Sequence, residues 1–160
     1  MIVRPPAGVG LAGRLAELGI VLPTPPAPIA TYVPWVRTGS LIAISGQIPM
    51  RDGALMCRGA VGDVTIEQAT EAARVCFINV LAQLRVACDG DLDRVRQVVR
   101  LGGYIAASPS FEDHAAIMNG ASDLAVAIFG PAGRHARSTI GVPSLPGGAT
   151  VEVDGWFEVA

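Results

Sequence analysis

The chain has 160 residues, 51% of them hydrophobic and 16% charged, enough to bury roughly 70% of the unfolded surface in one core and to form a single domain over residues 1–160. A net charge of −2 and an aromatic content of 5% leave neither the basic face nor the stacking platform of a nucleic-acid binder, and the twelve basic residues are all arginine, which excludes Schiff-base lysine chemistry and covalent pyridoxal phosphate. No apolar run reaches the ~18 residues of a membrane span, and Met1-Ile2-Val3-Arg4-Pro5-Pro6 is not a secretory leader, so the expected location is the cytoplasm.

Leu11 to Gly19 predicts a short amphipathic helix ended by glycine, and Leu22 to Pro28 an extended proline-rich connector; both belong to an N-terminal extension over residues 1–31. From Tyr32 to Pro49 the residues are extended in character. Leu41 to Ser45 reads as a buried strand ending at Gly46-Gln47, and Arg51-Asp52-Gly53 as a turn. Thr65-Ile66-Glu67-Gln68 fits a capping box. Apolar residues at 69, 72, 73, 76, 77, 80, 81 and 84 follow on one helical face and predict a helix over Ile66–Ala87. Val95 to Ala106 reads as a buried strand, and Phe111 to Phe129 as a helix closed by Gly130-Pro131. A last pair of extended runs is joined by Leu145-Pro146-Gly147-Gly148, and Val151, Val153, Gly155, Phe157 and Val159 share one face of the second. Strands, helix, strand, helix and two strands make an α+β fold with helices on one face of a sheet, whose other face oligomerisation would cover.

The final two runs also suggest chemistry. Arginine grips a carboxylate through a planar fork that stays charged. Arg137 starts the first run with Thr139 on its face, and Glu152 lies beyond the turn, where a hairpin would return it to the same end of the sheet. The same spacing suits a plain ion pair between strand ends. Tyr32, Ser45, Gln47 and Asn119 lie near element ends, as ligand donors or as turn and cap residues. His114 and His135 have no companion ligands in sequence and read as structural, and Cys57, Cys76 and Cys88 as free thiols. No G-x-S-x-G elbow, P-loop or dinucleotide fingerprint is present, so no nucleophilic serine, nucleotide or metal cofactor is expected.

Ile44-Ser45-Gly46-Gln47-Ile48-Pro49, and then Ala136-Arg137-Ser138 through Leu145-Pro146 to Val151-Glu152-Val153, resemble two ordered motifs of the RidA/YjgF family, also called endoribonuclease L-PSP, over roughly Pro28 to Val159. The resemblance implies a chorismate-mutase-like fold of the bacillus type, with a mixed sheet and two helices packed on one face. It also implies a homotrimer whose sheets form a barrel, with clefts at the subunit interfaces. The implied activity is hydrolytic deamination of reactive enamines and imines, such as 2-aminoacrylate, to 2-keto acids and ammonia, without a cofactor. By position, Arg137 matches the arginine that binds the substrate carboxylate, and Glu152 the glutamate that positions or activates water. Tyr32 matches the cleft tyrosine, Ser45 and Gln47 belong to the SGQ motif, and Asn119 matches the asparagine on the helix near the site. Thr139 stands where a cysteine is common, and the N-terminal extension marks a distinct branch. Expected partners are small carboxylate-bearing imines or 2-keto acids and further copies of the chain. A non-catalytic carboxylate-binding protein of the same fold is the alternative, and an endoribonuclease the second, which the acidic composition disfavours.

Overall fold

The structure is a computed structural model that describes residues 9–25 and 31–160. In chain order its elements are α1 (Leu11–Glu17), β1 (Trp35–Thr38), β2 (Leu41–Gln47), β3 (Met50–Arg51), β4 (Ala54–Leu55), α2 (Ile66–Ala87), β5 (Val95–Ala106), α3 (His114–Phe129), β6 (Ala136–Val142) and β7 (Val151–Val159). Five strands form one mixed sheet in the order β1-β2-β7-β5-β6, while β3 and β4 make a separate small hairpin around Asp52 and Gly53, both at positive φ. Only β5 and β6 are parallel, and α3 is the crossover between them. The α+β fold with helices on one face is therefore as expected.

Local chemistry explains the helices. At the start of α2 the Thr65 hydroxyl accepts from the Gln68 amide at 3.1 Å, and the Gln68 side chain accepts from the Thr65 amide at 3.0 Å, which satisfies two amides that the first turn leaves without partners. The stripe from Ala69 through Phe77 to Leu84 then packs on the sheet and on α3. The helices approach closely at Gly120, where any Cβ would strike the Thr70 carbonyl. The third helix starts at His114, later than the expected Phe111, because Phe111 turns back to donate its amide to Ser108 and packs edge-on against the His114 ring. Gly130, at φ 60°, ends it. His114–Gly133 is long and apolar enough by composition to cross a membrane, but Ile117, Met118, Ala121, Ala125 and Ile128 are spent on the core.

Alternation divides the sheet. Ile42, Ile44, Val98, Leu101, Ile105, Val151, Val153 and Phe157 face the helices and are buried, each large apolar side chain contributing about 1.5–3 kcal/mol. The opposite face presents Ala43, Tyr104, Ile140, Glu152, Asp154 and Trp156, and among the described residues nothing covers it: Ile140 is 52% and Trp156 44% exposed. The three cysteines are free and buried. The first helix is tied down by the Leu11 amide on Asp93 (2.7 Å) and by Arg14 Nε on the Ala127 carbonyl (2.8 Å). It ends before Gly19, at φ 68°. The expected connector continues without regular structure to Pro25, and its remaining residues, 26–28, lie outside the described residues, as do residues 1–8 of the extension.

One expectation fails. The last two strands are not hairpin neighbours, because β5 lies between them and pairs with both. The Pro146–Gly148 turn, with Gly147 and Gly148 at positive φ, reverses the chain, but it spans a strand's width rather than closing a two-strand ribbon.

Candidate functional site

Arg137 and Thr139 pair with Leu101 and Gly103 of β5 and so point to the helix side of the sheet, at its edge. Arg137 Nη1 donates to Asn119 Oδ1 at 2.9 Å and to Ser122 Oγ at 3.1 Å, both on α3. Asn119 is thus joined to Arg137. No carboxylate pairs with this guanidinium among the described residues, so the ion-pair reading of Arg137 and Glu152 is wrong. Thr139 lies two residues along the same face, and its hydroxyl is buried without a hydrogen-bond partner.

A second group gathers where β2 meets β7. Ser45 donates its hydroxyl to the Val33 carbonyl at 2.7 Å and its amide to that of Pro34 at 2.9 Å, which anchors the segment carrying the half-exposed Tyr32. The pairing of β2 with β7 is irregular between Ile44 and Gln47, and Gln47 folds back to donate to the Ser45 carbonyl at 3.0 Å. Gly46, in the middle of this irregularity, packs directly on the Glu152 carboxylate. Burial, and then the charge of Asp154, raise the Glu152 pKa above the ordinary carboxylate value. Asp154 in turn accepts from the Tyr104 hydroxyl at 2.9 Å and lies 3.9 Å from Arg100.

The two groups do not meet within one chain. Glu152 pairs with Tyr104, which pairs with Ile140, whereas Arg137 pairs with Leu101. The offset is three residues along the strands, about 10 Å, and two strand spacings across, about 9.5 Å. An odd offset also puts the side chains on opposite faces. Arg137, Asn119 and Thr139 form one group, and Tyr32, Ser45, Gln47 and Glu152 the other. A cavity of about 640 Å³, at the ends of β5 and β6 beside Phe111, His114, Gly141 and Pro143, contains none of these residues.

A family model described as "YjgF/chorismate mutase-like, putative endoribonuclease" matches residues 12–156. The chain belongs to the YjgF family. The match to YjgF begins inside the segment read as an extension and takes in most of α1. Protein TCP17 of Trypanosoma cruzi is 43% identical over 151 residues, 93% of this chain and 94% of that protein. The crystal structure of Atu1372, a protein with unknown function from Agrobacterium tumefaciens, is 42% identical with a TM-score of 0.88, over 94% of this chain and 92% of that one. RidA from the Antarctic bacterium Psychrobacter sp. PAMC 21119 shares the fold at 23% identity and a TM-score of 0.59, over 85% of this chain and 94% of RidA. The chain is therefore a divergent YjgF branch, much nearer to Atu1372 than to RidA.

Sequence reasoning missed Gly46, Ser122, His135, Tyr104 and Asp154. For Gly46 the signal was there, since a glycine between two polar strand residues marks a close approach. No local pattern signals the others, which meet their partners only through the fold.

Proposed function

We propose that the chain hydrolyses reactive enamines or imines bearing a carboxylate, of the 2-aminoacrylate type, to 2-keto acids and ammonia, in cytoplasmic clefts between the copies of a homotrimer. The observation that carries this reading is Arg137: a guanidinium at an open sheet edge, held by two neutral oxygens and paired with no carboxylate among the described residues. Such a group is ready for a substrate carboxylate.

Because the two groups face apart, a second copy supplies the Glu152 group opposite Arg137. Ordering the substrate against Arg137 accounts for much of the rate. Water then adds to the imine carbon and gives up a proton as the nitrogen gains one, and the carbinolamine collapses to the keto acid and ammonia. A carboxyl group whose pKa is raised above the ordinary carboxylate value is suited to both proton transfers. An enamine first takes a proton at its terminal carbon to become the imine.

The test is keto-acid release in the presence of a 2-aminoacrylate generator. Acceleration lost in Arg137→Ala supports the reading; no acceleration by the native chain, or full activity in the variant, sinks it. The separation of Arg137 from Glu152 within a chain favours one other reading, carboxylate binding without turnover. Calorimetry with pyruvate would then show binding where the turnover assay shows none.

A further inference from the structure

Arg137 is the end of a chain of hydrogen bonds that starts on the backbone. His135 Nδ1 lies 2.6 Å from the Gly133 carbonyl oxygen, which can only accept, so Nδ1 carries the proton. In the neutral ring Nε2 is then an acceptor, and the Ser122 hydroxyl, 2.9 Å away, donates to it. With its proton committed, Ser122 Oγ turns lone pairs toward Arg137 Nη1, at 3.1 Å. Asn119 Oδ1 accepts from the same nitrogen at 2.9 Å, which engages both Nη1 hydrogens. The Nε and Nη2 edge of the guanidinium has no partner among the described residues. That edge is the side-on fork that takes both oxygens of a carboxylate.

We infer that Ser122 and His135 are positioning residues that lock the Arg137 guanidinium with its Nε–Nη2 edge free, so that the site selects a carboxylate bound side-on. The inference rests on the carboxylate-binding reading of Arg137 and adds two residues to it. The roles are directional. The Gly133 carbonyl sets the histidine tautomer, the tautomer sets the serine proton, and the serine proton decides which way its lone pairs point. A hydroxyl free to rotate would present its own proton to the guanidinium part of the time and release it. The Ser122 links to His135 and Arg137 lie between elements the fold brings together, since Ser122 is on α3, His135 immediately precedes β6 and Arg137 is in β6.

The experiment combines nitrogen-15 NMR with calorimetry on the full chain. In the native protein the His135 proton should sit on Nδ1, and the Arg137 Nε–H should be as rigid as the backbone, with an order parameter near ~0.85. Ser122→Ala should loosen Arg137 Nε and weaken pyruvate binding about tenfold, the size expected for losing one hydrogen bond to a charged group. His135→Phe should do the same. His135→Gln, which offers Ser122 an acceptor near the position of Nε2, should restore both. In an Arg137→Ala background, Ser122→Ala should leave residual binding unchanged, because it acts through Arg137. An Arg137 Nε equally rigid in Ser122→Ala, or a His135 proton found on Nε2, would overturn the inference. A native chain that shows the locked arginine yet binds no 2-keto acid would instead overturn the carboxylate-binding reading and leave the positioning pair standing.

Discussion

The backbone of Gly46 rests against the Glu152 carboxylate so closely that a methyl group at position 46 would overlap Oε1 and press on Cδ. Gly46 is not at positive φ, so the requirement for glycine here is space rather than backbone freedom. Gly46→Ala should therefore displace Glu152 and leave Arg137 untouched. We expect kcat for imine hydrolysis to fall about 10²-fold, the range of lost acid–base catalysis, with pyruvate affinity within about twofold of native. Steady-state kinetics beside calorimetry reads both, and an equal loss of affinity would show that Gly46 serves the whole site.

Splitting the site between copies predicts complementation. Arg137→Ala and Glu152→Gln should each be inactive alone. Co-refolded in equal amounts, they should regain activity in about a quarter of the clefts by random assortment around a closed ring. Mixing without refolding is the control. No recovery from mixed assemblies confirmed by mass spectrometry would place both residues of each working site in one chain.

The raised pKa of Glu152 carries a stability consequence with a definite sign. The folded state holds this proton more tightly than the unfolded chain, so the group's contribution is most favourable below the ordinary carboxylate pKa of about 4.3 and is lost as pH rises through the higher folded value. At neutral pH its buried charge is a cost. Glu152→Gln should melt higher than native at pH 7, with the gain shrinking as the pH is lowered toward 4. Thermal unfolding over that range checks it. A gain independent of pH would point to packing instead.

Gly120→Ala should destabilise the fold although alanine favours helix by about 1 kcal/mol. The obstacle is the Thr70 carbonyl, a backbone atom of the facing helix that cannot swing aside. Forcing α2 and α3 apart should cost about 2 kcal/mol net, read as a lower denaturant midpoint at unchanged slope. Gly39→Ala, at an open turn with positive φ, makes a useful contrast because its cost is backbone strain alone.

Much of the fold was legible because local and tertiary preferences agree. The capping box and the apolar stripe from Ala69 to Leu84 mark the ends of α2, and the run from Val95 to Ala106 marks those of β5. Alternation from Val151 to Val159 gave the buried face of the last strand, all five residues of which are buried. The partner of that strand was not legible. A Pro/Gly turn announces that the chain reverses, but β5 reaches the gap between β6 and β7 from 30 or more residues upstream. The hairpin reading of the last two strands fails in the fold: Arg137 and Asn119 meet, while Arg137 and Glu152 face apart. The link from Ser122 to His135 joins a helix to a strand entrance, and no periodicity reports such a meeting.

The opposed faces of Arg137 and Glu152 also bear on how damage would spread through a population of chains. If every chain lends one half-site to each of two clefts, a single copy defective in both halves silences two clefts in its ring. A minority of faulty chains would then remove more than its share of activity. Inheritance of such a defect would be dominant-negative, a genetic behaviour that follows from nothing more than the direction in which two side chains leave one sheet.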